Sequence, residues 1–185
     1  SRGLGDVYKR QHYSQFKIYN LKFKIFPMES TYFYEGPIGQ YCLCETDGKL
    51  TRLWLGNRIS MATPGKNIEE TPLLREAHKQ LNAYFNRELQ TFDLPLFPQG
   101  TDFQLKVWNL LRDIPYGTTI TYGELARRTG DPKACRAVGS ANGHNPLPIF
   151  IPCHRIMGAG GKLTGYTGGL DIKIKLLQIE RIYLG

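Results

Sequence analysis

The stretch TYGELARRTGDPKACRAVGSANG, residues 121–143, predicts two short helices separated by a glycine turn. Thr121, with a glutamate three residues later, has the spacing of a capping box, in which each of the two side chains satisfies a backbone N–H of the other residue. Gly130 ends the first helix, because glycine readily adopts the backbone conformation that follows a helix end. The Asp-Pro pair at 131–132 then predicts that a second helix starts at Pro132. This pattern is typical of a helix-turn-helix, although an ordinary helical hairpin has the same arrangement.

The residues before this stretch predict a further helix and a linker. Thr101 begins a second capping box, with Gln104 at the reciprocal position, and apolar residues follow at helical spacing as far as Ile114. Residues 93–100 contain two prolines and a glycine. Such a composition is typical of a linker, and we place the domain boundary there.

Residues 12–60 are predicted to form β-strands. The segments Tyr41–Cys44 and Leu53–Leu55 are short, apolar and rich in residues that favour strands. A helix is predicted next, with Thr71 as its cap, a proline at its first position and apolar residues at helical spacing to about Asn86. The N-terminal part is therefore predicted to be an α/β domain.

The chain is basic, with a net charge of +8 and a pI of about 9.4. Residues 101–185 contain eleven Lys and Arg against six Asp and Glu, so most of the surplus lies in the C-terminal part. A basic surface suits a polyanionic partner such as DNA, although it also occurs on proteins that bind no nucleic acid. No apolar run is long enough to span a membrane and no signal peptide is recognisable, so we expect a cytoplasmic protein without a membrane partner.

The second predicted helix of the pair carries mostly small side chains. Arg136 is its long cation, and Ala137, Gly139 and Ser140 follow it. Side chains this short do not reach deep base edges but let a backbone approach closely, which suits the minor groove of DNA. An inserted arginine could fill the gap that an extruded nucleotide leaves. Tight packing between helices also selects alanine and glycine, and the sequence alone leaves both interpretations open.

Cys153 is the candidate nucleophile in the segment IPCHRI, residues 151–156. A thiol reacts as its thiolate, and its usual pKa of about 8.5 falls beside a cation or an imidazole. His154 is the candidate proton acceptor, although adjacent side chains of an extended segment point in opposite directions and a direct contact is not assured. The alternative is a buried, unreactive thiol, which is the usual state of a free cysteine.

Four motifs follow one another in the C-terminal part: RAVG at 136–139, NP at 145–146, IPCHR at 151–155 and GYTGGL at 165–170. In this order they resemble the O6-alkylguanine-DNA alkyltransferase family, the methylated-DNA–protein-cysteine methyltransferases. The resemblance covers nearly all of the C-terminal part and is weaker before it. It implies a direct, single transfer of an alkyl group from O6-alkylguanine in double-stranded DNA to Cys153, after the base has flipped out of the duplex. It also implies a ribonuclease-H-like N-terminal domain and a helical C-terminal domain, so the predicted fold class is α+β.

The resemblance assigns roles to individual residues. It implies that Cys153 is the nucleophile and that His154, oriented by Glu180, acts through a water. It implies that Arg136 enters the DNA stack and that Tyr122 lies near the phosphate of the flipped nucleotide. The other implied positions are Ala137, Gly139 and Ser140 in the DNA-binding helix and Asn145, Ile156, Tyr166, Thr167 and Gly168 in the substrate pocket.

The complete prediction comprises an extraneous tail at 1–11, an N-terminal α/β domain at 12–92, a linker at 93–100 and a DNA-binding and active-site domain at 101–185. We predict no cofactor, because the reaction needs only a thiol, a base and the lesion. Cys42 and Cys44 are too close together for the usual Cys-x2-Cys zinc site, so no metal is predicted. We expect a prokaryotic monomer with reduced cysteines that acts once.

Three other functions fit parts of the sequence. An alkyltransferase-like protein binds the lesion without transferring it, but such proteins lack the cysteine that stands here at residue 153. A helix-turn-helix regulator of this family carries a metal-binding sensor domain, for which this chain has no room. A cysteine hydrolase needs a distant His, an Asn or Asp and an oxyanion hole, and the sequence has no recognisable signature of them.

Overall fold

The computed structural model describes residues 29–62 and 67–183. The predicted tail at 1–11 and the first part of the predicted strand region therefore lie outside the described residues. Within the described ranges no helix has both the length and the apolar character that crossing a membrane requires.

Between residues 29 and 98, where the structure describes all but residues 63–66, an antiparallel sheet carries one α-helix packed on it. The strands follow in the order β1-β2-β3, with bounds Glu29–Gly36, Gly39–Thr46 and Lys49–Leu55. Asp47 and Gly48 connect β2 to β3 with positive φ angles of 52° and 69°, as a tight hairpin with two connecting residues requires. The predicted strands at 41–44 and 53–55 are confirmed.

Helix α1, Pro72–Phe85, covers one face of this sheet. Thr71 caps it, since its side chain accepts a hydrogen bond from the backbone N–H of Leu74 at 3.2 Å. Residues 74, 77, 81 and 84 of α1 are all fully buried, so the predicted apolar stripe is the packing face. The helix ends one residue before the predicted position.

The predicted linker, residues 93–100, forms backbone hydrogen bonds with the sheet. The Leu50 N–H donates to the Pro95 carbonyl at 2.8 Å, and the Phe97 N–H donates to the Leu50 carbonyl at 2.8 Å. Because these bonds extend the edge of β3, residues 93–100 leave the N-terminal part in one fixed direction.

Residues 101–183, the described portion of the C-terminal part, contain four α-helices and a short parallel strand pair. The bounds are α2 Asp102–Arg112, β4 Ile120–Thr121, α3 Tyr122–Arg128, α4 Cys135–Gly143, β5 Ile156–Met157 and α5 Leu170–Ile179. Helix α4 packs against both α2 and α3, and β4 pairs with β5. The capping box at the start of α2 is complete, as predicted.

Two predicted details of the helix pair are wrong. Helix α4 begins at Cys135 and not at Pro132, because the Asp131 side chain accepts a hydrogen bond from the Lys133 N–H at 2.8 Å and holds a turn over residues 132–134. The capping box at Thr121 is only half formed. Thr121 accepts from the Glu124 N–H, but the Glu124 carboxylate bonds to two arginines of the next turn.

One hydrophobic core joins both parts of the chain. It includes Leu55 and Tyr84 of the N-terminal part together with Trp108, Cys153 and Leu176 of the C-terminal part. The α+β fold class that the sequence predicts is confirmed. The shared core fixes the position of the N-terminal part relative to the C-terminal part, and Cys153 belongs to this core.

Candidate active site

Cys153 lies at the start of a short 3-10 turn, Cys153–Arg155, that leads into β5. The expectation that Cys153 and His154 lie in an extended segment is therefore wrong. The loop before it is held by Asn145, whose side chain donates to the Ile151 carbonyl at 2.8 Å and accepts from the Leu147 N–H at 3.0 Å. Ile149 within this loop has a φ of 75°, a left-handed conformation that is unfavourable for a β-branched residue. The hydrogen bonds of Asn145 therefore hold the loop in a backbone conformation that is unfavourable at Ile149.

A cavity of about 230 Å³ opens beside the start of α3. Its lining comes from both parts of the chain and consists of Arg58, Tyr122, Gly139, Asn142, Gly143, Gly165, Tyr166 and Thr167. Burial raises the pKa of Tyr122 and the pKa of Tyr166, and the nearby Cys153 sulfur raises both further. The thiol therefore interacts with two tyrosines that line the cavity, although Cys153 itself is not part of the lining.

The Cys153 thiol is protonated at rest. It is 1% exposed, and burial raises its pKa to about 11, although Asn145 and Lys173 favour the thiolate. A protonated thiol is a poor nucleophile, so reaction at this site requires a base.

His154 is suited to be that base. The ring is fully buried, and burial, together with the charges of Arg155 and Lys173, lowers its pKa although Glu180 acts to raise it, so the imidazole is neutral at pH 7. His154 Nε2 lies 2.8 Å from Glu180 Oε1. A neutral ring that donates from Nε2 keeps a lone pair on Nδ1, and no residue of the described ranges hydrogen-bonds to that nitrogen.

Glu180 is a buried carboxylate held by several donors. Arg155 donates to both carboxylate oxygens, at 2.9 Å from Nη2 to Oε1 and 3.0 Å from Nε to Oε2, and the Gly117 N–H donates to Oε2 at 3.1 Å. Burial alone would raise the pKa of Glu180, but the bonds from His154 and Arg155 outweigh it and hold the pKa at about 2. The carboxylate is therefore ionised and fixes the orientation of the imidazole.

The predicted pocket residues occupy different places. Tyr166 and Thr167 line the cavity, and the Thr167 hydroxyl donates to the Gly143 carbonyl at 2.9 Å. Gly168 lies outside the cavity lining and packs against Leu55, with which an added Cβ would overlap. Ile156 is fully buried in β5 and lies outside the cavity lining.

The predicted DNA-binding residues form one exposed patch beside the cavity. Arg136, Ala137 and Ser140 are exposed on α4. Gly139 lies against Tyr122, since an added Cβ would be 3.8 Å from the tyrosine ring. The patch therefore adjoins the cavity mouth directly.

Three residues near the site were not predicted from the sequence. Tyr84 donates to Glu180 Oε1 at 2.8 Å, and Arg58 lines the cavity. Lys173 is fully buried and donates to the carbonyls of Ile156 at 2.6 Å and Thr164 at 3.1 Å. Lys173 had a signal, because a lysine at helical spacing from Leu176 and Glu180 interrupts an apolar face.

The described residues contain no cluster of three or more His, Cys, Asp or Glu side chains that could hold a metal ion. Cys42 and Cys44 lie on one face of β2 and are buried. The Thr31 hydroxyl donates to the Cys44 sulfur at 3.6 Å. These thiols therefore pack as small core side chains.

Two family models match the chain. The model for the 6-O-methylguanine DNA methyltransferase ribonuclease-like domain matches residues 31–98, and the model for the DNA binding domain of the same family matches residues 102–182. The methylated-DNA–protein-cysteine methyltransferase of Methanosarcina acetivorans is 49% identical over 148 residues, which are 80% of this chain and 95% of that protein. The constitutive enzyme of that name from Bacillus subtilis is 48% identical over 153 residues, which are 80% of this chain and 93% of its own.

A solved structure agrees with these sequence matches. The crystal structure of Mycobacterium tuberculosis OGT in complex with DNA superposes with a TM-score of 0.75 and 45% sequence identity, and the match covers 82% of this chain and 92% of that one. The sequence, the two matched domains and the three-dimensional likeness agree. The chain belongs to the 6-O-methylguanine DNA methyltransferase family.

Proposed function

We propose that this protein repairs DNA by transferring an alkyl group from the O6 atom of guanine to the Cys153 sulfur, once per molecule. The proposal assigns DNA binding and the reaction to residues 101–185, with the N-terminal domain at 12–92 and the linker at 93–100 in support. The partner is double-stranded DNA that contains O6-alkylguanine, and the protein acts on it as a monomer.

One observation carries the proposal: a buried thiol interacts with two tyrosines that line a cavity, and the residue after it in the chain is a neutral, buried histidine. Tyr122 and Tyr166 line the cavity and both lie beside Cys153. The next residue, His154, is neutral and is held by the ionised Glu180. We infer that an electrophile in the cavity reaches the thiol past these two tyrosines, and that His154 accepts the thiol proton.

The transfer balances with these groups alone. The thiol proton passes to His154 Nδ1, directly or through a water, and the resulting thiolate attacks the sp3 carbon attached to O6. The S–C bond forms while the C–O bond breaks, and the electron pair of the C–O bond remains on guanine. The proton held by the imidazole is then available to restore neutral guanine. A thiolate is a poor leaving group from a thioether, and the side chains that the structure describes around Cys153 include those of Asn145, Tyr166 and Lys173, so we expect the alkyl group to stay on the sulfur and the protein to act once.

The DNA side of the proposal follows from the position of O6 inside the duplex. A thiol that is 1% exposed cannot reach into a base stack, so the base must leave the stack and enter the cavity. The exposed patch on α4 has small residues that let a helix approach the minor groove, and Arg136 is long enough to occupy the vacated position. The net charge of +8 supports binding to the phosphate backbone.

The proposal places the activity in the cytoplasm of a prokaryotic cell, where genomic DNA is directly accessible. It is supported by the archaeal and bacterial sources of the relatives named above.

The decisive experiment is intact-mass spectrometry after incubation with a duplex that carries one O6-methylguanine. We expect the protein to gain a single methylene unit, located on the peptide that contains Cys153, and to stop at one equivalent. Cys135→Ser is the matched control, because Cys135 is a free, exposed cysteine on the DNA-facing helix; this variant should react fully, whereas Cys153→Ser should not react.

Other outcomes of the same experiment would contradict the proposal. Methylation of Cys135, or repeated turnover by one protein molecule, would exclude Cys153 as a single-use acceptor. Tight binding of the lesion without any mass gain would favour a lesion-binding protein instead.

A further inference from the structure

Tyr84 links the N-terminal domain to the proposed proton acceptor. It lies near the end of α1, within the matched ribonuclease-like domain, whereas Glu180 lies in the matched DNA binding domain. The Tyr84 hydroxyl donates to Glu180 Oε1 at 2.8 Å and lies 3.4 Å from His154 Nε2. The same carboxylate oxygen thus interacts with a tyrosine of one domain and the histidine of the other.

We propose that Tyr84 is a positioning residue for the transfer reaction, through which the N-terminal domain sets how strongly Glu180 binds His154. This inference rests on the proposed function for its role in transfer. Tyr84 touches neither the cavity nor the thiol, so it acts through Glu180 and not on the substrate.

The surroundings of Tyr84 keep its hydroxyl protonated and hold it against Glu180. The residue is fully buried, and burial together with the charge of Glu180 keeps its pKa well above the ordinary value, so the hydroxyl stays protonated. Its ring packs against Phe92 and Tyr116, with ring centroids 5.4 Å and 6.0 Å away. Because the ring cannot swing away, the hydrogen bond to Oε1 is built into the domain contact.

Removal of this donor changes the balance at Oε1 in a defined direction. Without the tyrosine proton, more of the negative charge on Oε1 is available to His154 Nε2, which stabilises the imidazolium form. The pKa of His154 therefore rises, and less of the neutral base is present at a given pH. The other titratable or charged groups that face this pair belong to Arg155, Tyr116, Tyr166 and Lys173, and the substitution leaves them unchanged.

The test is Tyr84→Phe, which keeps the packed ring and removes only the hydroxyl. We expect the acidic limb of the pH profile of single-turnover methyl transfer to move upward by about one pH unit, with roughly tenfold slower transfer below that limb. Titration of the His154 ring by NMR, with its signal identified from a His154→Asn sample, should show the same shift. Tyr41→Phe is the matched control, since Tyr41 is equally buried in the same domain but bonds to His78 at 2.7 Å, away from the site.

The outcomes separate this inference from the proposed function. An unchanged His154 titration in Tyr84→Phe, or the same shift in Tyr41→Phe, would overturn the positioning role. If the wild-type protein transfers no methyl group, the proposed function fails, and the NMR titration still decides whether Tyr84 controls His154. If Tyr84→Phe does not fold, the wild-type protein supplies the answer: a slowly exchanging Tyr84 hydroxyl proton close to the His154 ring supports the coupling, and its absence contradicts it.

Discussion

Replacing Glu180 with glutamine should destabilise the protein by an amount that the structure specifies. The substitution keeps the size of the side chain but removes the charge that pairs with Arg155, which is only 6% exposed. A fall of the Glu180 pKa from its ordinary 4.5 to about 2 corresponds to about 3 kcal/mol of stabilisation at neutral pH. This value agrees with the cost of about 3–5 kcal/mol for leaving one partner of a buried ion pair without the other.

The pH dependence has a definite sign. The pKa of Glu180 is lower in the folded protein than in the unfolded chain, so its contribution is complete above pH 4.5 and is lost as the pH falls from there towards 2. The difference in the free energy of unfolding between wild type and Glu180→Gln should therefore be largest at pH 5–7 and should shrink across that acidic range.

Urea unfolding followed by tryptophan fluorescence measures this difference, because Trp108 is buried in the core. Glu124→Gln is the matched control. Glu124 bonds to two arginines, but those pairs lie at the surface, where ion pairs contribute little, so the urea midpoint of this variant should hardly change. Equal midpoints for wild type and Glu180→Gln at pH 7, or a difference that does not vary with pH, would refute the reasoning.

Two further predictions follow from the same region. Gly168→Ala should lower the free energy of unfolding by about 1–3 kcal/mol, because its Cβ would overlap Leu55; Gly165→Ala meets nothing within 4 Å and should be nearly neutral, so equal urea midpoints for the two variants would contradict the contact. The Cys153 thiol should stay protonated until about pH 11. The difference in ultraviolet absorbance between wild type and Cys153→Ser should therefore show no thiolate at pH 8, and half-ionisation near pH 7 would contradict the resting state described above.

Local sequence signals predicted the elements that depend on local interactions. The ends of α1 and the complete capping box of α2 depend on residues within one helical turn, and the structure has both. The start of α4 is different, because the Asp131 side chain can cap a helix or close a turn, and the tertiary packing decides. The half-formed capping box at Thr121 shows the same limit, since nearby arginines compete for the Glu124 carboxylate.

Site residues that belong to a contiguous motif were predictable from the sequence, whereas those that only the tertiary fold brings to the site were not. Cys153 and His154 are adjacent in the sequence, and their motif is recognisable at once. Tyr84 lies 70 residues from His154 and 96 from Glu180, and its spacing on α1 is that of any core residue. Its hydroxyl acquires a partner only when the two domains meet, which no local pattern reports.

The hydrophobic core that joins the two parts of the chain affects how the protein folds during translation. The sheet and α1 leave the ribosome before residues 168 and 180 do, so Leu55 and Tyr84 contact their final neighbours, Gly168 and Glu180, only after those residues have been made. Until then the nascent N-terminal half exposes the apolar surface around Leu55, and the Tyr84 hydroxyl lacks its carboxylate partner. The N-terminal half therefore cannot complete its core until residue 180 has been made, and a chain truncated before that residue would expose apolar surface to proteases and aggregation.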